Sequence, residues 1–295
     1  MSAPALAPHA SKASRRAAAG PSPFTAAYTR LGEVFPTLGV IELTPAEPDP
    51  APADGWLQAS SLAADPATLD RFLAWDEEQV RRDYGQPGRP DVIASFGLHR
   101  YAWGVCLLAT IPWFLHRRVP RIPVDAVSYH RGRGRLAVRL DAFACLPDDP
   151  AALLPGARVV PDEEALRAEL RASVAEHLAP VLDAFAPRMR RGRRALWGMA
   201  TDEIVEGLWY IGSLLGEEDR AVAETGRLLP GNSALQAPYA GGASFRALPG
   251  KCGEDLRTRD RASCCLFYTL RPQDTCVTCP RTGDAERVER LSATS

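Results

Sequence analysis

Four cysteines fall within 16 residues, at Cys264, Cys265, Cys276 and Cys279, in the spacing C-C-x10-C-x2-C. No other feature of the sequence constrains the local chain as tightly. Four thiolates that close in sequence can enclose one tetrahedral metal or a small iron–sulfur cluster. The C-x2-C half is a knuckle whose two sulfurs chelate. The vicinal half is unusual, because adjacent side chains on a strand point to opposite faces. For Cys264 and Cys265 to share one site, the backbone there must leave regular strand geometry. The run Leu266 to Leu270 has strand character, and Pro272 begins a return that brings the knuckle back to the vicinal pair. Zinc sites usually pair two knuckles and this one has a single knuckle, while common ferredoxin spacings differ as well. Spacing therefore predicts a metal site without choosing between zinc and iron.

The rest of the chain says what the cluster is set into. With 295 residues, 46% apolar and 24% charged at a net charge of -1, the chain has ample core for one large or two ordinary domains. That balance excludes a disordered chain and a generally basic nucleic-acid binder. Seven cysteines in this length are too sparse for a disulfide-stapled scaffold. Residues 1–22 are rich in Ala, Ser and Pro without an apolar run, which predicts a flexible tail rather than a secretory signal. The longest near-apolar run, Tyr101 to Leu115, is short for a membrane span and contains Pro112, so it is expected as a buried helix. A cytoplasmic protein follows as the expectation, with its thiols reduced and no transmembrane segment, though peripheral association with the inner membrane stays open.

Periodicity predicts an α+β body over 23–230: a helix at 66–83 opened by Asp65 and Pro66, and a second at 94–118 capped by Ser95. An antiparallel hairpin is expected from Val124–His130 and Arg135–Leu146. Two long helices follow, one starting at Pro161–Glu164 and ended by Pro187, the other over 193–216, and a shorter one over 217–229. The Gly/Pro/Ser-rich stretch 231–253 is expected as a linker, and 254–291 as the small cysteine-bearing segment.

Over 261–280, the vicinal cysteines followed by Leu266-Phe267-Tyr268 and the proline after Cys279 resemble the bacterial ferric-siderophore reductases of the FhuF type. The resemblance is diffuse over 70–230 and absent before residue 60. It implies that Cys264, Cys265, Cys276 and Cys279 hold a [2Fe-2S] cluster, and that the protein reduces ferric iron inside a siderophore. The electron donor would be external, a ferredoxin, a flavoprotein or another reductant. Gly132-Arg133-Gly134-Arg135-Leu136-Ala137 mimics a dinucleotide fingerprint, but a strand pattern follows it where a helix is required.

Phe267 and Tyr268 are candidates to shield the cluster, and Arg261 and Arg271 to offset its charge. Arg188, Arg190, Arg191, Arg193 and Arg194 form a basic run between the long helices. Such runs are commonly solvated helix-end charge. The same charge can attract an anionic chelate or an acidic donor, which makes Arg190, Arg193 and Arg194 the substrate-binding candidates. Trp197 is expected in the core, as are Cys106 and Cys145, and Cys252 is left outside the ligand set. Two other functions fit the residues: a siderophore-binding module whose four clustered cysteines hold a structural zinc, and an iron–sulfur sensor. The second is weakened by neutral charge and the lack of a helix-turn-helix pattern.

Overall fold

The computed structural model describes residues 22–251, 253–272 and 275–293. Along the chain run α1 (Thr25–Val34), β1 (Gly39–Glu42), β2 (Leu57–Gln58), α2 (Ala59–Ala64), α3 (Pro66–Tyr84) and α4 (Pro90–His116). They are followed by β3 (Arg118–Pro120), β4 (Val127–His130), β5 (Arg135–Val138), β6 (Phe143–Cys145) and β7 (Ala157–Val159). The second half holds α5 (Glu163–Met189), α6 (Arg193–Leu214), α7 (Glu218–Leu228), the short α8 (Ser233–Gln236), β8 (Phe245–Pro249), β9 (Asp255–Arg259) and α9 (Asp284–Ser292). The class is α+β, as the sequence predicts. The strands form three small sheets, ordered β1-β5-β4-β2, β3-β6-β7 and β8-β9.

α4 is apolar on all sides and its central residues are buried, which is the pattern of a helix at the middle of a core. It packs against α1, α3, α5 and α6. By length and composition it is apolar enough to cross a membrane, yet 83% of that apolar window is buried inside the protein. Pro112 has no N–H to offer the Leu108 carbonyl one turn back. The Tyr28 hydroxyl of α1 donates to that carbonyl instead, at 2.9 Å.

α3 starts as its sequence requires. The Asp65 carboxylate accepts the Ala67 and Thr68 amides, Pro66 takes the first turn, and Gly85 closes the helix at φ 65°. The Asp162 carboxylate caps α5 by accepting the Ala165 amide at 2.8 Å. The start of α4 is corrected: it begins at Pro90, where a missing N–H costs nothing, and Ser95 lies inside the helix. α5 runs past Pro187 to Met189, because proline removes one hydrogen bond and the buried Met189 side chain holds the last turn.

The expected hairpin is real over β4 and β5, with Val127 opposite Val138 and His130 opposite Arg135. Its second arm is shorter than predicted. Arg139 is tied to Asp49 at 2.7 Å and to the Glu47 carbonyl, and the chain then crosses into the second sheet. There Phe143, Ala144 and Cys145 are all buried, so no in–out alternation exists in β6. The stretch expected as a linker over 231–253 contains α8 and β8, and β8 pairs antiparallel with β9 from Phe245–Arg259 to Pro249–Asp255. Cross-strand pairing, not local composition, makes 245–249 a strand. Residues 1–21 and Cys252, about which the sequence raised expectations, lie outside the described residues.

Candidate iron–sulfur site

The cysteine segment lies on the buried face of α6, and three acids of that helix shape it. Asp202 carries the most. Its Oδ1 accepts Arg259 Nη2 and the Ala262 amide, both at 2.8 Å. Its Oδ2 accepts the Ser263 amide at 2.8 Å and the Ser263 hydroxyl at 3.0 Å. One carboxylate thus fixes the backbone of the two residues before the vicinal pair. Glu206 Oε1 accepts Arg259 Nη1 and the Thr278 hydroxyl, each at 3.0 Å, and so joins β9 to the knuckle. Glu203 Oε1 meets His99 Nδ1 of α4 at 2.5 Å. Ala262 approaches α6 so closely that a Cβ at Gly198 would lie 3.2 Å from the Ala262 carbonyl oxygen. A methyl group there would have to push Ala262 back by a few tenths of an ångström, so glycine eases the close approach.

The arginines complete the frame. Arg259 is fully buried, and its third bond goes from Nε to the Ala243 carbonyl at 3.0 Å. A charge with all its directions satisfied is the only kind tolerated so deep. Arg287 of α9 is nearly as buried. It donates to the carbonyls of Cys279, Thr282 and Arg259 and to Asp260, which clamps the knuckle onto the end of β9. On the opposite side, the Ser95 hydroxyl donates to the Cys265 carbonyl at 2.9 Å and Gln86 Nε2 to the Leu270 carbonyl at 2.8 Å.

The vicinal pair leaves strand geometry, as sharing one site would require. Neither cysteine is in a strand, Leu266 adopts φ 67°, and Phe267–Thr269 form a 3-10 turn. This corrects the strand expected over Leu266–Leu270. Apolar character in so short a run serves equally to dock Leu266, Phe267 and Leu270 on Val92, Ile93 and Phe96. The Cys279 amide donates to the Cys276 carbonyl at 3.0 Å, which closes the knuckle, and the Arg281 amide donates to Cys279 Sγ at 3.4 Å.

The electrostatics favour thiolate at Cys265. Its pKa falls to about 5, chiefly because the Cys276 thiol hydrogen-bonds to it, with further help from the Phe267 amide, Arg261 and His99 against the effect of burial. The Cys276 thiol is correspondingly pushed up, as the donor of that bond and by burial. Burial raises Cys264, while the Leu266 amide and Arg191 oppose the rise. Burial would lower the Arg261 pKa, but Asp202, Glu203, Glu206 and Cys265 outweigh it and hold the guanidinium charged.

Four thiols, amides directed at sulfur and a buried cation form a donor set that fits an iron–sulfur cluster, in which hydrogen bonds to sulfur and nearby charge are the tuning elements. Among the described residues, no three His, Cys, Asp or Glu side chains converge tightly enough to hold one ion. A two-iron cluster divides its four ligands between two metals.

Arg261 therefore stands where the sequence suggested, beside the cysteines. Arg271 instead stacks 5.6 Å from the Tyr84 ring. Phe267 packs on Tyr84 and Phe96, and Tyr268 lies under the Arg281 guanidinium at 4.1 Å. Arg190, Arg193 and Arg194 are exposed at the corner between α5 and α6, and Arg188 is paired with Asp70 at 2.7 Å. It is Arg191 of that run whose charge reaches Cys264. Trp197, Cys106 and Cys145 are core residues, as expected.

Sequence reasoning did not find Asp202, Glu203, Glu206, Arg259, Arg287, Ser95 or His99. One signal was present: Thr201-Asp202-Glu203 interrupts an otherwise apolar helix between Gly198 and Gly207, and acids so placed need partners.

Residues 261–281 match the family described as the FhuF 2Fe-2S C-terminal domain, and the match spans all four cysteines. No curated protein matches the chain. The segment is thus of the FhuF type, and its cofactor is a [2Fe-2S] cluster.

Proposed function

Proceeding from a FhuF-type [2Fe-2S] segment over 261–281, we propose that this protein reduces ferric iron held in a siderophore and releases Fe(II) in the cytoplasm. A bound [2Fe-2S] cluster supplies one electron at a time. Ferric iron is a hard ion held by oxygen donors. Ferrous iron is less charged and softer, so the same oxygens hold it far more weakly. One electron per chelate is enough to free the metal. The electron comes from an external ferredoxin or flavoprotein.

The observation that supports this reading most is the asymmetric setting of the cysteines. Cys279 is buried, whereas Cys264, Cys265 and Cys276 are half-exposed, with Arg261 beside Cys265 and the charge of Arg191 reaching Cys264. A purely structural site gains nothing from an open side, but an electron-transfer site requires one. The exposed Arg190, Arg193 and Arg194 lie at the same corner and raise the local concentration of anionic partners there. His99, Glu203 and Arg261 keep the inner side polar and ordered, so the cysteine loops need no large rearrangement when charge changes.

The test is direct. Protein purified without oxygen is expected to contain iron and acid-labile sulfide, and after chemical reduction to release Fe(II) from a ferric siderophore into a ferrous-specific dye. Stoichiometric zinc without sulfide, or no release from any siderophore class, overturns the proposal.

A further inference from the structure

A cavity of about 310 Å³ opens beside α4, lined by Phe35, Trp75, Trp103, His99, Arg100 and Arg131 among others. None of these residues takes part in the cysteine framework except His99, which faces both. Its Nδ1 is held by Glu203, and Nε2 has no partner among the described residues. Ser95, one helical turn earlier on α4, holds the Cys265 carbonyl, and Trp103 lies one turn later. Each turn of four residues advances about 6 Å. The cavity therefore begins one turn of helix from the cysteine loop.

Its walls have a specific chemistry. The Arg131 guanidinium lies 4.1 Å from the Trp75 ring and 4.7 Å from the Phe72 ring. Both of its terminal nitrogens bond the fully buried Asp76, which also accepts Arg100 Nη1 at 3.0 Å. One carboxylate faces two guanidiniums, so the wall keeps a net positive charge, and Arg100 is exposed enough for it to reach the cavity. Trp75 is 38% exposed. Trp103 and Phe35 meet edge to face at 5.1 Å, and Tyr210 extends this aromatic rim at 5.7 Å from Phe35. Indole faces, a guanidinium and an imidazole nitrogen together select a flat ring that carries negative charge. The volume takes one such ring with its linker rather than a whole hexadentate chelate.

We infer that this cavity receives the aryl arm of a ferric chelate, of the phenolate type, with the ring against Trp75 and Trp103 and its oxygen toward His99 and Arg100. The identification of the ligand as a chelate rests on the reductase reading; the selection of a flat anionic ring rests on the cavity alone. A tris-hydroxamate ferric complex is neutral and has no ring to stack, so it gains little from these walls.

The experiment uses the full chain with its cluster and gallium(III) chelates, which fold around the metal as the ferric ones do but accept no electron. Tryptophan fluorescence is titrated with a phenolate-bearing gallium siderophore, a tris-hydroxamate gallium siderophore and flavin mononucleotide. The phenolate chelate is expected to bind tightest. Trp75→Ala and Arg100→Gln are each expected to weaken it about tenfold, with cluster absorbance and circular dichroism retained. Absence of phenolate-chelate binding, equal binding in both variants, or flavin displacing the chelate overturns the inference. Binding that follows the prediction in a protein that reduces no ferric siderophore would sink the reductase reading and leave the cavity assignment standing. Reduction with unchanged binding in Trp75→Ala would do the reverse.

Discussion

Asp202 Oδ1 lies 2.8 Å from Arg259 Nη2, and neither side chain is exposed to solvent. The pair is the joint between α6 and the β8–β9 hairpin. The other hydrogen bonds of the carboxylate go to Ala262 and Ser263, and Arg261 Nε lies 3.5 Å from Oδ2. Asp202→Ala leaves Arg259 Nη2 and the Ala262 and Ser263 amides without their shared acceptor, and breaking such a buried pair costs about 3–5 kcal/mol. The variant is expected to unfold at much lower denaturant and to lose iron in proportion. Wild-type stability and iron content in the variant would show that the joint is dispensable.

The ligand assignment makes a paired prediction. Cys276→Ser removes a thiolate from the knuckle and is expected to abolish or strongly reduce iron and sulfide content. Cys106→Ser alters a fully buried core position on α4 away from the four cysteines and is expected to retain the cluster, at some cost in stability. Metal and sulfide analysis of both variants decides it, and equal loading would refute the ligand set.

His177 sets a pH dependence. It is fully buried, with Nδ1 2.8 Å from the Ile122 carbonyl and Nε2 2.7 Å from the Tyr101 hydroxyl. The carbonyl can only accept, so Nδ1 carries the proton and Nε2 accepts from Tyr101. Burial lowers its pKa from 6.5 to about 4, against the opposing hydrogen bonds to backbone. Above pH 6.5 the residue is neutral in both folded and unfolded chains, and its contribution is fully present. Between about 6.5 and 4 the unfolded chain binds a proton that the folded chain refuses, so stability falls with pH, by about 3 kcal/mol in all. Denaturation midpoints measured across this window should fall steeply, and His177→Gln should flatten that slope even if it lowers stability at every pH. An unchanged slope would exclude His177 as its source.

Tyr28 and Pro112 make a smaller prediction. Tyr28→Phe leaves the Leu108 carbonyl, already without a helical partner, unsatisfied in the core. An orphaned buried acceptor costs about 1–3 kcal/mol. The expected result is a lower thermal midpoint with an unchanged cluster, and a neutral effect would mean that the carbonyl finds another donor.

Local patterns carried much of the architecture. Asp65-Pro66 and Asp162 mark helix starts because a capping carboxylate acts within three residues of its own position. The α4 core was legible in its unbroken apolar run. Where the reading failed, a distant contact had decided the outcome. Leu266–Leu270 reads as a strand until Val92, Ile93 and Phe96 offer it a surface to dock on as a turn. Phe245–Pro249 reads as linker until β9 pairs with it.

The same division runs through the site. The cysteine spacing by itself pointed to a metal centre at 264–279, because four thiols so close in sequence can be gathered around one site. Only the tertiary structure decided what surrounds them. Asp202, Glu206, Arg259 and Arg287 are ordinary surface-type residues in a sequence, since a charge is costly only once buried. Folding α6, β9 and α9 together buries Asp202, Arg259 and Arg287 and half-buries Glu206. Burial makes each one depend on its partners, and those partners hold the cysteine loops in place.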